Sequence, residues 1–154
     1  MKRAVAIALL ALPAFSFVAG RETHCTFRLH AEANARDGAV FSIPIRSQFS
    51  GKPVAIEKMA AISERDVIAF QVYQAADGTY GALFQLDEHG RLMLDALSVE
   101  HRGAFLFLFV NGRPLTELQI DRRVSDGKIY VPSGLTLNDI ALMKKDWRLV
   151  GPKK

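Results

Sequence analysis

A continuous apolar run, AFLFLFV at positions 104–110, constrains the fold of this chain more than any other feature. It lies between the polar stretch EHRG and an Asn111-Gly112 pair. Seven residues are too few to cross a bilayer as a helix, which takes about 20 residues. As a strand, the run is apolar on both faces, so it predicts a central strand that is covered on each side. We therefore expect its three Phe rings to pack in the core, and the alternative is that they line a ligand pocket.

Alternation of apolar and polar side chains elsewhere predicts further strands that are bounded by turn residues. The predicted strands are 25–31, 39–45, 54–60, 67–74, 79–86, 113–120 and 128–132. For 54–60 a helical stripe is the alternative. In the first strand Cys25 lies on the apolar face, which favours a small core residue over a reactive or intermolecularly paired thiol. The Asn111-Gly112 pair predicts a tight hairpin turn after the apolar run.

Two helices are predicted from their caps and their periodicity. The Pro-free stretch 88–100 follows Asp87, a good N-cap residue, and is expected to stop before Gly103. A second helix begins at TLND, positions 136–139, which resembles a capping box, and we expect Trp147 to close it against the core or a neighbouring surface. Together these elements predict an α+β fold, a mainly antiparallel sheet with two helices packed on one side.

The first 20 residues have the layout of a secretory signal peptide, with a basic start, an apolar run and small residues near Gly20. Pro13 interrupts the apolar run, which disfavours the alternative of an uncleaved membrane anchor. We expect cleavage after Gly20 and a periplasmic or secreted protein. That leaves a single domain at 21–149 and a flexible tail at 150–154.

Charge and ligand spacing argue against several classes of function. Removal of the leader lowers the formal net charge from +4 to +2, too weak a surplus for a nucleic-acid-binding face. His24 and His30 lie about 20 Å apart on an extended strand, too far to share one metal ion. His89 and His101 lie at either end of the first predicted helix and are no better placed. We therefore expect no metal, no cofactor and no stable membrane span after cleavage.

The order of these elements carries a family resemblance. The segments VAIEKMAAISERDV, ALFQLDEHG, LSVEHRGAFLFLFVNGRPLTELQI and SDGKIYVPSGLTLNDIALM resemble the periplasmic first head-and-base region of the SecD (SecDF) protein-export subunit. The resemblance covers about residues 54–149. Within it, the pair Ser63-Glu64 before Asp66-Val67, the Gly before the apolar strand and the G-x-T helix start match the family pattern.

The resemblance implies a ferredoxin-like SecD-head arrangement and a binding module rather than an enzyme. The implied partner is a polypeptide or another envelope component, and an extended peptide can add to an exposed strand edge. The chain departs from the family in having Asn111 where Asp is usual and in lacking a second hydrophobic segment, so we do not expect an export motor. The predicted binding surface is the hairpin turn and the segment after it, with Asn111, Gly112, Arg113, Arg122 and Arg123.

Two other functions are consistent with the sequence. A small exported hydrolase is the first, because Ser98, Glu100 and His101 lie close in sequence and a nucleophilic hydroxyl needs a base within about 3 Å. No nucleophile elbow accompanies these residues, and a polar helix end explains them equally well. The second is a structural subunit of an envelope assembly, and the sequence leaves the oligomeric state open.

Overall fold

The computed structural model of the protein describes residues 22–34 and 36–151. Its fold is α+β with mostly antiparallel sheets, which confirms the predicted fold class. Among the described residues, no helix is both long and apolar enough to span a membrane. The predicted signal peptide, the last three tail residues and position 35 lie outside the described residues.

Strands and helices alternate irregularly along the chain. The strands are β1 (Phe27–Ala31), β2 (Ser42–Arg46), β3 (Pro53–Glu57), β4 (Ile62–Ser63), β5 (Val67–Gln74), β6 (Tyr80–Leu86), β7 (Phe105–Val110), β8 (Arg113–Gln119), β9 (Lys128–Leu135) and β10 (Arg148–Leu149). The helices are α1 (Gly38–Phe41), α2 (Glu88–Glu100) and α3 (Leu137–Asp146), and a 3₁₀ turn (Glu64–Asp66) precedes β5.

The strands divide into two four-stranded sheets and one hairpin. The first sheet has the order β4-β1-β7-β8 and is antiparallel throughout. The second sheet has the order β10-β5-β6-β9 and is antiparallel except for the β10–β5 pair. The hairpin pairs β2 with β3, and a bridge between Glu32 and Ile56 links it to the end of β1.

Strand β7 lies between β1 and β8 and is covered on both faces, which confirms the prediction from the apolar run. The residues that join the main core are Leu106, Leu108 and Val110. On the opposite face Phe107 is only 3% exposed. The hairpin covers this face, because Ile45 of β2 lines the same small cavity as Phe107 and Phe109. In the hairpin loop, the ring of Phe49 lies 6.4 Å from that of Phe105.

Side chains of both sheets form one core. Phe27 of β1 meets Phe84 of β6 edge to face, with ring centroids 5.0 Å apart. Trp147, directly after α3, packs edge-on against both rings, with centroids 6.2 Å from Phe27 and 6.0 Å from Phe84. Its buried indole confirms that α3 is closed against the core.

Cys25 lies on the core side of the first strand segment, as its alternation predicted. Its side chain is almost fully buried. Burial raises the pKa of the thiol to about 12, and the nearby carboxylate of Asp139 adds to the shift. The thiol therefore stays protonated at neutral pH, which favours the packing role over a reactive one.

Helix α2 begins and ends where its sequence predicted. The Asp87 side chain caps it by accepting a hydrogen bond of 2.8 Å from the Gly90 amide. Gly90 also allows a close approach, because a Cβ there would lie only 2.9 Å from the Cβ of Asp66 in the 3₁₀ turn. Residues 63–66 and 87–90, which both belong to the family resemblance, therefore pack together in one junction.

The prediction of a strand at 39–45 is wrong in its first half. Residues Gly38–Phe41 form the single-turn helix α1, and pairing begins only at Ser42, opposite Glu57. The Ser42 hydroxyl donates a 3.0 Å hydrogen bond to the Gly38 carbonyl and closes this turn. None of the α1 residues is buried, so no packing holds their apolar side chains in the extended backbone that the alternation predicted. The predicted strand at 54–60 also stops early, at Glu57.

Truncation of Phe107 tests whether β7 is covered on its second face. We expect Phe107→Ala to lower the free energy of unfolding by about 3–5 kcal/mol, because the change leaves a cavity beneath the hairpin. Urea unfolding followed by tryptophan fluorescence measures this change, since Trp147 is buried in the core.

Phe49→Ala is the matched control, because the Phe49 side chain is 85% exposed although it lies over the same face. We expect this variant to change the free energy of unfolding by less than about 1 kcal/mol. Equal unfolding midpoints for Phe107→Ala and the unchanged protein would show that the hairpin does not pack on β7.

Candidate binding groove

The last strands of the two sheets lie side by side without pairing. Strand β8 ends the first sheet and β9 ends the second. They approach each other at Leu115 and Gly134, where a Cβ on Gly134 would lie 3.0 Å from Leu115 Cδ1. Beyond this contact, a groove of about 460 Å³ opens between residues 118–122 and 126–130. We call this opening the β8–β9 groove.

The floor of the β8–β9 groove is apolar. Apolar residues of α2, β6, β7, β9 and the segment that begins at the end of β8 line it, namely Leu83, Leu94, Leu106, Leu118, Ile120, Val124 and Ile129. Leu94, Leu106, Ile120 and Ile129 are buried and belong to the main core, whereas the other three are half-buried. Core side chains therefore border this opening between the sheets, and a volume of this size is typical of ligand pockets.

The free edge of β8 presents backbone groups to the groove. The Ile120 amide donates to the Ala104 carbonyl across the β7–β8 pair, at 3.0 Å. Because bonded and non-bonded residues alternate along an antiparallel pair, Leu118 also bonds toward β7. The amide and carbonyl groups of Glu117 and Gln119 consequently point away from β7, toward the free edge.

The free edge of β9 offers fewer donors. The Leu86 amide donates to the Gly127 carbonyl at 2.8 Å, so the alternation turns Lys128 and Tyr130 outward. The Lys128 amide already donates to the Asp126 carboxylate at 3.1 Å. Pro132, where the pairing with β6 becomes irregular, has no amide hydrogen. Of these three residues, Tyr130 alone retains an amide hydrogen without such a partner.

The rim of the β8–β9 groove carries both signs of charge. Arg122 and Lys128 are balanced by Asp121 and Asp126. A neutral rim gives no preference for an acidic or a basic ligand. What the groove offers to a ligand is consequently apolar surface and backbone groups rather than a net charge.

Ser98 lies at the base of the groove and is 2% exposed. Its hydroxyl donates to the Asp95 carbonyl at 2.8 Å and accepts from the Val124 amide at 2.9 Å. The first bond lies within α2, and the second ties the segment after β8 to α2. Within the described part of the chain, the Ser98 hydroxyl makes no hydrogen bond to His101, the base that the hydrolase alternative requires.

The predicted binding residues of the hairpin turn are engaged within the protein. Asn111 donates from its side-chain amide to Asp139 Oδ1 at 2.7 Å, and Arg113 donates to Asp139 Oδ2 at 2.6 Å. Gly112 is exposed and, like Asn111, has a positive φ, as a tight turn of this type requires. The turn is thereby fastened to the first turn of α3.

The two predicted arginines lie at the other end of β8. Arg122 lines the β8–β9 groove, whereas Arg123 forms a bidentate ion pair with Asp95, at 2.6 and 2.7 Å. The seven residues of β8 separate them from the hairpin turn by about 23 Å. The five residues therefore do not form one cluster, and their role in binding stays a prediction.

Sequence reasoning missed the groove floor at Leu118 and Ile120. A signal for it exists at the end of RPLTELQI, where Leu118 and Ile120 alternate with the polar residues Glu117 and Gln119. One-sided alternation beside the two-sided run of β7 indicates an edge strand. The partner edge β9 comes from a distant segment, and no local pattern places the two together.

One group of possible metal ligands lies outside the groove within the described residues. The carboxylates of Asp66 and Asp87 and the imidazole of His89 have ligand atoms within 4.8 Å of one another. Each already has a hydrogen-bonding role: Asp66 accepts from Ser63 and from His89, and Asp87 caps α2. These bonds account for the cluster as a helix junction.

Asp139 is the buried carboxylate on which the hairpin turn depends. Burial by itself raises the pKa of this carboxyl, but hydrogen bonds from the Thr136 amide, Asn111 and the Thr136 hydroxyl, together with the charge of Arg113, lower it below its usual value. Every one of these partners donates. An ionised carboxylate, which only accepts, is therefore the side chain that satisfies them all.

Replacement of Asp139 by Asn tests this arrangement. We expect Asp139→Asn to cost about 1–3 kcal/mol of unfolding free energy at pH 7, because an amide nitrogen would face donors. The lowered folded-state pKa means that the stabilisation is full above the unfolded pKa of about 3.9 and is lost as pH falls through the folded value. The difference between the two proteins should consequently shrink as pH falls below about 4, and urea midpoints measured from pH 7 downward follow it. A difference that is constant with pH would contradict the ionised carboxylate.

No protein-family model matches this chain. No curated protein matches it either. Among solved structures, a crystal structure of SecDF in a super-membrane-facing form aligns with 80% of the chain at a TM-score of 0.55 and 10% identity. A structure of SecDF described as a membrane component that enhances protein export aligns with 81% of the chain at a TM-score of 0.56 and 11% identity.

The chain spans 19% and 64% of these two SecDF chains, less than two thirds of either. At such low identity the similarity concerns the fold and not the activity. The resemblance inferred from the sequence is therefore confirmed at this coarser level, since the described residues adopt a SecD-like fold.

Proposed function

We propose that this protein is an exported, non-catalytic binding module of SecD-like fold that holds an extended polypeptide segment in the β8–β9 groove. One observation carries the proposal: two unpaired sheet edges flank a single apolar floor. A strand edge offers main-chain hydrogen bonds that any extended polypeptide can complete. An apolar floor adds affinity for the apolar side chains that unfolded chains expose.

The SecDF neighbour that enhances protein export supports an export-related role for this fold. A module that assists export has to accept many sequences. Backbone pairing and a neutral rim meet that requirement, because neither reads a particular side chain. The proposed partner is therefore an unfolded or extended polypeptide in the envelope.

The hydrogen bonds of Ser98 support a non-catalytic role. Its buried hydroxyl donates within α2 to the Asp95 carbonyl and accepts from the Val124 amide, which holds the segment after β8 to the helix. The predicted cluster of Ser98 with Glu100 and His101 thus has a structural explanation in the helix end. We propose no hydrolase activity, and the binding experiment includes a test for it.

A structural subunit is a second candidate, favoured by exposed apolar side chains at the hairpin. Val40, Phe41 and Met59 are 71%, 69% and 82% exposed and line a shallow depression of about 430 Å³. Patches of this kind are found at protein interfaces. Light scattering after size-exclusion chromatography distinguishes the candidates, since a subunit that self-assembles would have more than the monomer mass.

Substitution on the groove floor tests the proposed function. We expect the purified protein to bind a fluorescein-labelled, permanently unfolded variant of a small protein in an anisotropy titration, and to bind the folded parent of that variant much more weakly. Leu118→Gln should weaken this binding about tenfold, because it places a polar group against the bound apolar side chains.

Leu92→Gln is the matched control, since Leu92 of α2 is 53% exposed and is not among the groove residues. It should leave the affinity unchanged. Equal weakening by both substitutions would place binding elsewhere. Robust cleavage of the polypeptide that disappears in Ser98→Ala, with the fold intact, would refute the non-catalytic role.

A further inference from the structure

We infer that the bound segment pairs along β8, as a fifth strand of the first sheet, and that the groove selects segments with apolar side chains at alternate positions. This inference rests on the proposed function and specifies which edge and which class of segment that function uses.

Strand β8 offers a regular ladder. Glu117 and Gln119 both point their amide and carbonyl groups away from β7. They lie two residues apart, which is the repeat at which an added antiparallel strand exchanges pairs of hydrogen bonds. A guest strand can therefore form two consecutive pairs at this edge without any change in β8.

Strand β9 cannot offer the same ladder. Lys128 and Tyr130 point outward, and the pairing with β6 becomes irregular at Pro132. The Lys128 amide is already bonded to Asp126 and Pro132 has no amide hydrogen, so of these three residues only Tyr130 can donate to a guest strand. A guest on β9 would make one pair where a guest on β8 makes two.

The two faces of a guest on β8 would meet different surfaces. Leu118 and Ile120 lie on the core face of the first sheet, so guest side chains on that face enter the apolar groove. On the opposite face, the Glu117 carboxylate accepts from the Ser47 hydroxyl at 2.8 Å and from the Gln48 amide at 2.5 Å. That face is polar, so alternate guest residues have apolar and polar surroundings. A segment with strict apolar-polar alternation fits both faces at once.

Proline substitutions at the two edges test the inference. An outward amide on an edge strand is a position where proline is tolerated in sheets, so the fold should persist and circular dichroism checks it. The probe is a fluorescein-labelled peptide that alternates valine and threonine over seven residues. Gln119→Pro should weaken its binding about tenfold relative to Gln119→Ala, because it removes one ladder donor and its ring crowds the edge.

Tyr130→Pro, compared with Tyr130→Ala, is the matched pair on the other edge. We expect these two variants to bind the peptide within about twofold of each other, because the β9 amide is not used. The alanine variants in both pairs separate loss of the side chain from loss of the amide hydrogen.

A measurement on the unchanged protein guards against misfolded variants. In an extended peptide, the amides of alternate residues point to opposite edges, so N-methylation at every second residue removes the donors of one edge of the peptide. Methylation of one alternate set should abolish binding, whereas a peptide methylated at the other set should bind as before. A peptide of the same composition with its valines consecutive should bind about tenfold more weakly than the alternating peptide.

Three outcomes would overturn the inference. Weakening by Tyr130→Pro but not by Gln119→Pro would place the guest on β9. Equal binding of alternating, consecutive and N-methylated peptides would show that the groove holds chains without strand pairing, and the proposed function would stand without this inference. Failure of the unchanged protein to bind any peptide or unfolded polypeptide would refute the proposed function itself.

Discussion

The junction of the two sheets at Trp147 is the contact on which the rest of the structure depends. The indole packs edge-on against Phe27 of the first sheet and against Phe70 and Phe84 of the second, with centroids 6.0 to 6.3 Å apart. Its Nε1–H donates to the Glu64 carbonyl at 3.2 Å, which satisfies the one polar atom of the ring. Because these rings come from three strands and the end of α3, the cluster fixes the two sheets relative to each other.

The position of the β8–β9 groove follows from this junction. The aromatic cluster joins β1 of the first sheet to β5 and β6 of the second. Strand β8 ends the first sheet beyond β7, and β9 ends the second sheet beyond β6. The sheets touch there at Leu115 and Gly134 but do not pair, and the apolar floor remains open to a ligand. The opening thus lies where the two sheets meet without pairing. Segment binding there, as proposed, needs no moving part and no reactive group.

Features that depend on neighbouring residues could be predicted from the sequence, and features that depend on distant pairing could not. The run that is apolar on both faces predicted β7. Asp87 predicted the start of α2, and the capping box predicted the start of α3. The strand at 39–45 was predicted wrongly in part, because its apolar side chains are exposed in α1 and periodicity does not reveal burial. The groove could not be predicted, because it requires β8 and β9 to end separate sheets. That arrangement depends on strand pairs between distant segments, such as Phe27 with Val110.

Hydrogen exchange of the backbone amides, with and without a bound unfolded polypeptide, tests the central claim most directly. A ladder on β8 should slow exchange at Glu117 and Gln119, the outward amides that have no partner strand in the free protein. Exchange at Tyr130 and in the β2–β3 hairpin should change little. Protection confined to the hairpin around Val40, Phe41 and Met59, with no change in β8, would contradict the account and move the binding surface to that exposed patch.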